Sequence, residues 1–186
     1  MCEEELQRLL AILRTDKNRT VCKVILFLLS TGLRLNEALS AEWKNVDLSN
    51  RVLIVEASVS KNRRRKSIPL NDSALQVLDK LNSRGKNGYL FINPRTGSRY
   101  VNIKKTWNRL RNEAGIPDVR LHDLRHQFAS FLVNSGRTLY EVQQILGHST
   151  PVITQRYSHL SSKSLQSAAA TASDCLSNVM DQAPLT

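Results

Sequence analysis

The chain has 186 residues, and 27 Lys and Arg against 16 Asp and Glu leave a net charge of +11. Hydrophobic residues make up 41%, near the globular norm, which excludes disorder throughout, and the length fits one domain with a substantial core. A cationic excess of this size attracts polyanions, of which nucleic acid is the usual one; solubility charge alone and an anionic membrane surface are the bland alternatives. Cys2, Cys22 and Cys175 never form a C-x-x-C pair, which argues against a disulfide framework or a zinc knuckle and fits a reducing cytosol. No signal peptide is read in the acidic, amphipathic N-terminus. The most apolar stretch, "VCKVILFLLSTGL", is interrupted by Lys23 and is too short to span a bilayer.

In chain order, Leu6, Leu9, Leu10 and Leu13 recur at helical spacing and predict a helix over 3–14. A second helix, over 20–31, is apolar nearly all round and belongs at the centre of the core. Gly32 ends it, and a short helix follows over 34–42. The period then changes. β-branched runs separated by turn residues predict three short antiparallel strands, about 44–48, 52–58 and 65–69. Asn71, Asp72 or Ser73 caps a helix carrying Leu75, Val77, Leu78 and Leu81. "RGKNG" and "NPRTGS" are loops around a short apolar piece, Tyr89 to Ile92. Helices resume over 101–114, 121–134, 139–146 and 150–158, with Gly115, Gly136 and Gly147 at their ends. From Leu160 to Leu176 an Ala/Ser-rich segment reads as a weaker helix. The predicted class is mainly α with a small three-stranded antiparallel sheet, in one domain.

Four stretches carry side chains suited to chemistry. In "TGLRLNEAL", Glu37 stands three residues after Arg34, a spacing at which a carboxylate can orient a guanidinium; an ordinary surface ion pair has the same spacing. "SKNRRRKSIPL" packs five basic residues into six positions, a phosphate-seeking loop tip. There Arg63, Arg64, Arg65 and Lys66 suit tracking of a DNA backbone. Lys61, at the strand end, suits proton donation if neighbouring cations lower its pKa; a solvated charge run is the plainer reading. "LHDLRHQFAS" places His122 and His126 four apart, as a zinc-binding helix does, and His122 and Arg125 three apart, as a phosphate holder does. Against zinc, Asp123 stands where a glutamate is needed and Arg125 sets a fixed positive charge beside the metal. In "LGHSTPVITQRYSHL" nine positions separate His148 from Tyr157. A lone tyrosine is more often packing than nucleophile.

Arg34 with Glu37, Lys61, His122-x-x-Arg125-His126, His148 and Tyr157, in this order and at these separations, resemble the catalytic domain of the tyrosine recombinases, the phage-integrase family. "TGLRLNEAL" looks like its first arginine box, "LHDLRHQFAS" like its H-x-L-R-H box, and "LGHS" with the tyrosine of "RYSH" like its third. The resemblance spans about residues 5 to 165.

It implies the DNA breaking-rejoining fold and a site-specific recombinase that cleaves and rejoins strands through a covalent 3′-phosphotyrosyl intermediate. Tyr157 is then the nucleophile and His122 the base assisting it. Arg34 and Arg125 grip the non-bridging oxygens, His148 adds a hydrogen bond, and Lys61 protonates the leaving 5′-oxygen. Glu37 and His126 orient the site. Neither metal nor ATP is implied. The implied partners are double-stranded DNA and further copies of the chain, in a tetramer on paired sites, without a membrane, in the cytoplasm of a bacterial or phage-infected cell. Residues 1–186 are expected as a single catalytic domain, with 160–186 a tail able to dock on a neighbouring protomer. The family's N-terminal core-binding domain is expected to be absent. The competing readings are a DNA-binding module of the same fold without strand exchange, a relative that only relaxes DNA, and a zinc hydrolase.

Overall fold

The structure is a computed structural model and describes residues 1–60, 63–85, 88–147 and 154. The chain divides into two compact units, residues 1–128 with 145–147, and residues 129–144 with 148–186. The described residues are mainly helical with one three-stranded antiparallel sheet, the class read from the sequence.

Helix α1 (Glu3–Thr15) carries three glutamates in its first turn, where the partial positive charge of the helix N-terminus favours them. Glu5 reaches back to the Cys2 N–H at 2.8 Å. Asn18 caps α2 (Arg19–Thr31) by accepting the Val21 N–H. Nine residues of α2 are buried, which makes it the central helix of the first unit, packed by α1, α3 (Leu35–Leu39) and α4 (Asp72–Asp79). Asn71 caps α4 through the Ala74 N–H and donates its side-chain amide to the Ser30 carbonyl of α2, so one residue both starts a helix and ties it to its neighbour.

Gly32 ends α2 with φ of 65°, a left-handed conformation that favours glycine. Packing adds a second reason. A Cβ at Gly32 would lie 2.3 Å from the Phe128 ring and 2.8 Å from Leu146.

Strands β1 (Val46–Asp47), β2 (Val52–Val55) and β3 (Lys66–Pro69) pair antiparallel in the order β1-β2-β3. Leu53 faces Ile68 and Val55 faces Lys66. Side chains alternate across a strand, so the buried Leu53, Val55 and Ile68 define the inner face, and Lys66 shares it. The strands are shorter than predicted. Trp43–Asn45 coil into a 3-10 turn, held by the Trp43 N–H on the Gly88 carbonyl and the Trp43 indole on Ser83. β2 stops at Val55 because the Glu56 carbonyl accepts the Val59 and Ser60 N–H groups in a turn.

Helix α5 (Lys104–Glu113) buries Trp107 and Leu110 and packs on α1; it begins three residues later than predicted, with Ile103 buried at its cap. Helix α6 (Asp123–Asn134) begins two residues later than predicted, which leaves His122 ahead of it, and α7 (Leu139–Leu146) falls as predicted. Within the second unit, Thr138 and Glu141 cap α7 reciprocally: the Thr138 N–H donates to Glu141 at 2.7 Å, and the Glu141 N–H to Thr138 Oγ1 at 3.2 Å. Ala129, Val133 and Val142 are buried there, while Phe131 and Tyr140 are exposed. The helix predicted over 150–158 and the weaker one over 160–176 lie outside the described residues, Thr154 apart.

Candidate functional site

Glu37 is a buried and firmly anchored charge. Its side chain is 1% exposed and holds three donors: Arg34 Nη1 at 3.1 Å, the Arg34 backbone N–H at 2.9 Å and Lys66 Nζ at 2.9 Å. Burial pushes this carboxyl up, but the Lys66 hydrogen bond and charge, with those of Arg34, outweigh it and hold the pKa below the ordinary glutamate value. Lys66 is lowered in turn, first by burial and then by Arg125 and Arg34, against the pull of Glu37. Sequence grouping places Lys66 with the backbone-tracking cations of its loop. The structure turns it inward, because it occupies the same face of β3 as Ile68.

Arg125 projects from α6 and is 4% exposed. Its Nη1 donates to the Gly32 carbonyl at 2.7 Å and its Nη2 to the Leu146 carbonyl at 2.6 Å. The glycine that ends α2 therefore has a direct task in the site, since its close approach brings a carbonyl onto the guanidinium. A second glycine has similar constraints: Gly147 has φ of 64°, and a Cβ there would lie 3.1 Å from Lys66 Cδ.

His122 stands just ahead of α6 with its ring accessible to solvent. It meets the His126 ring edge-on, centroids 4.9 Å apart. Desolvation, then the charges of His126 and Arg125, hold its pKa below 6.5, against the pull of Asp123. A neutral imidazole at neutral pH can accept a proton. Asp123 is itself tied in a fork to Arg120, at 2.9 and 3.1 Å.

Arg34, Arg125 and His122 line one cleft of about 370 Å³, and none of its described lining residues is acidic. Its far wall was not read from the sequence: Lys104, Asn108 and Arg111, one helical ridge of α5, line it as well. The Trp107 indole and Arg111 Nη1 both donate to the Val119 carbonyl at 3.1 Å, which ties α5 to the segment leading into His122. The i, i+4, i+7 polar spacing of these three was legible in the sequence; which neighbour they face was not.

Arg63, Arg64 and Arg65 are exposed, with Arg65 3.6 Å from Glu56. Lys61, His148 and Tyr157 lie outside the described residues. Among the described residues no three His, Cys, Asp or Glu side chains gather into a metal-holding group, and no helix is long and apolar enough to cross a membrane.

Residues 1–164 match the model of the phage integrase family. The chain belongs to that family. The integrase of Salmonella phage P22 is 32% identical over 148 residues, covering 74% of this chain and 38% of that protein. The tyrosine recombinase XerC of Bifidobacterium longum (strain DJO10A) is 31% identical over 169 residues, 82% of this chain and 46% of that protein. The chain thus spans less than half the length of these two curated relatives. Among solved structures, the catalytic domain of bacteriophage HP1 integrase superposes with a TM-score of 0.71 at 27% identity, covering 91% of this chain and 92% of that one. The family resemblance and the fold inferred from the three sequence boxes are both borne out.

Proposed function

We propose that this chain is the catalytic domain of a site-specific recombinase that breaks and rejoins double-stranded DNA through a covalent 3′-phosphotyrosyl intermediate, without a metal or other cofactor. The observation that carries the reading is the convergence of Arg34, Arg125 and His122 on one cleft without an acidic lining residue. Such a cleft favours an anion, and two oriented guanidiniums suit the non-bridging oxygens of a phosphodiester.

In this mechanism the Tyr157 phenolic oxygen bonds to phosphorus and the bond to the 5′-oxygen breaks. The phenolic proton passes to His122. Lys61 supplies the proton for the departing 5′-oxygen. Arg34 and Arg125 stabilise the extra negative charge of the pentacoordinate state, and His148 adds a hydrogen bond; preorganised donors of this kind lower the barrier without reorganising. Glu37 acts through Arg34 and Lys66, and His126 through His122, as positioning residues. Arg63, Arg64 and Arg65 follow the DNA backbone beside the site. The ester conserves the bond energy, so a second DNA 5′-hydroxyl can displace the tyrosine and exchange strands. Paired sites call for four copies, with residues 160–186 as the tail that docks on a neighbouring protomer. The work takes place on DNA in the cytoplasm.

The test is incubation with a nicked duplex that traps the covalent complex, followed by mass spectrometry of the tyrosine peptide. An adduct on Tyr157, abolished by Tyr157→Phe while duplex binding persists, is expected. Joining to a second duplex then distinguishes strand exchange from relaxation alone. Duplex binding without an adduct in the unaltered chain would leave only a binding module.

A further inference from the structure

The proposed chemistry uses one side of the cleft. Its other side is the α5 ridge of Lys104, Asn108 and Arg111, with the buried Trp107 beside them in the cleft lining and Leu110 buried behind. No acidic residue stands in the first turn of α5. The helix's one acid, Glu113, is held by Arg109 at 2.9 Å. Lys104 and Asn108 are exposed, and Lys104 makes no ion pair with a described carboxylate. Arg111 spends Nη1 on the Val119 carbonyl, and its buried Nε has no hydrogen-bond partner among the described residues. A buried donor left unfilled is costly and calls for an explanation.

Length decides what such a wall can hold. From Lys104 to Arg111 a helix rises about 10 Å, whereas one DNA strand carries a charge per about 3.4 Å of axis. The ridge is longer than one phosphate needs. We propose that Lys104, Asn108 and Arg111 form a second phosphate seat, which takes a backbone phosphate next to the one held by Arg34 and Arg125. This rests on the DNA reading of the cleft. One gripped phosphate leaves the strand free to pivot. Two define a direction, so the seat fixes the strand's polarity in the cleft before any bond breaks.

The test uses the full chain and a duplex in which single phosphates around the cleavage site are replaced by uncharged methylphosphonates. Lys104→Ala is expected to flatten the log–log salt dependence of binding by about 0.9. Between about 50 and 200 mM salt the unaltered chain then loses about threefold more affinity than the variant. One flanking methylphosphonate weakens the unaltered chain and causes no further loss in Lys104→Ala. Lys105→Ala, an exposed cation on the same helix but outside the cleft lining, leaves that position-specific loss intact. An unchanged slope in Lys104→Ala, additive losses at every methylphosphonate, or the same coupling in Lys105→Ala would overturn the seat while leaving the DNA reading standing. Failure of the unaltered chain to bind duplex in a salt-dependent way would sink both.

Discussion

Arg65 and Lys66 are adjacent cations with opposite fates. The Arg65 side chain is 64% exposed and lies 3.6 Å from Glu56, itself 43% exposed; the Lys66 side chain is 14% exposed and lies 2.9 Å from a Glu37 that is 1% exposed. Water and salt screen the first pair, which is worth little. The second has given up hydration and depends on its partner. A run of like charges is thus not one functional unit. The loop's arginines supply a diffuse field, whereas the buried cluster of Glu37, Arg34 and Lys66 sets fixed directions.

The sharpest way to break this contrast is at Glu37. Glu37→Ala leaves Lys66 without its carboxylate and is expected to cost about 3–5 kcal/mol of stability, read from denaturant midpoints at constant m-value. The same group gives a pH signature. Its folded pKa lies below the ordinary 4.5, so its stabilisation is fully present above that value and is lost as pH falls through the folded pKa. Acid unfolding curves of the parent and Glu37→Gln should therefore converge below that window. Curves that stay parallel would remove Glu37 from the account.

Next in size is Arg125. Arg125→Ala should slow adduct formation by about two to three decades, measured in single turnover at saturating DNA. It should also destabilise the fold, because the Gly32 and Leu146 carbonyls lose their donor. Arg125→Lys, with one ammonium for two diverging carbonyls, recovers little of the rate.

His122 gives a smaller, graded effect. Because its folded pKa lies below 6.5, the rate of adduct formation should reach half its plateau at a pH below 6.5 and fall toward tenfold per pH unit beneath that point. An inflection at or above 6.5 would contradict the assignment of His122 as the base. The smallest expected effect belongs to the exposed loop. Arg63→Ala and Arg64→Ala should each change stability by less than about 0.5 kcal/mol while reducing the salt slope of DNA binding by about one. A stability loss comparable with that of Glu37→Ala would erase the distinction between the two regions.

Helices α1, α2, α4, α6 and α7 were legible because caps, stops and spacing are local: Asn71, Gly32 and the leucine periodicity act within a few residues. So were the boxes holding Arg34, Glu37, His122 and Arg125. Lys66 was half legible. Its alternation with Ile68 already put it on the inner face of β3, but five basic residues within six positions drew attention to charge instead of period. The strand ends went unread because they depend on the Gly88 and Glu56 carbonyls, whose partners no local pattern names.

By itself the sequence determined the family, the helical class and the side chains able to grip a phosphate, since these follow from residue type and spacing along the chain. Only the tertiary structure decided that the Gly32 carbonyl meets a guanidinium from 93 residues away, that Lys66 serves Glu37 and not solvent, and that α5 walls the cleft. The physical reason is that hydrogen-bond direction and burial belong to pairs of surfaces, and one strand of sequence contains only half of each.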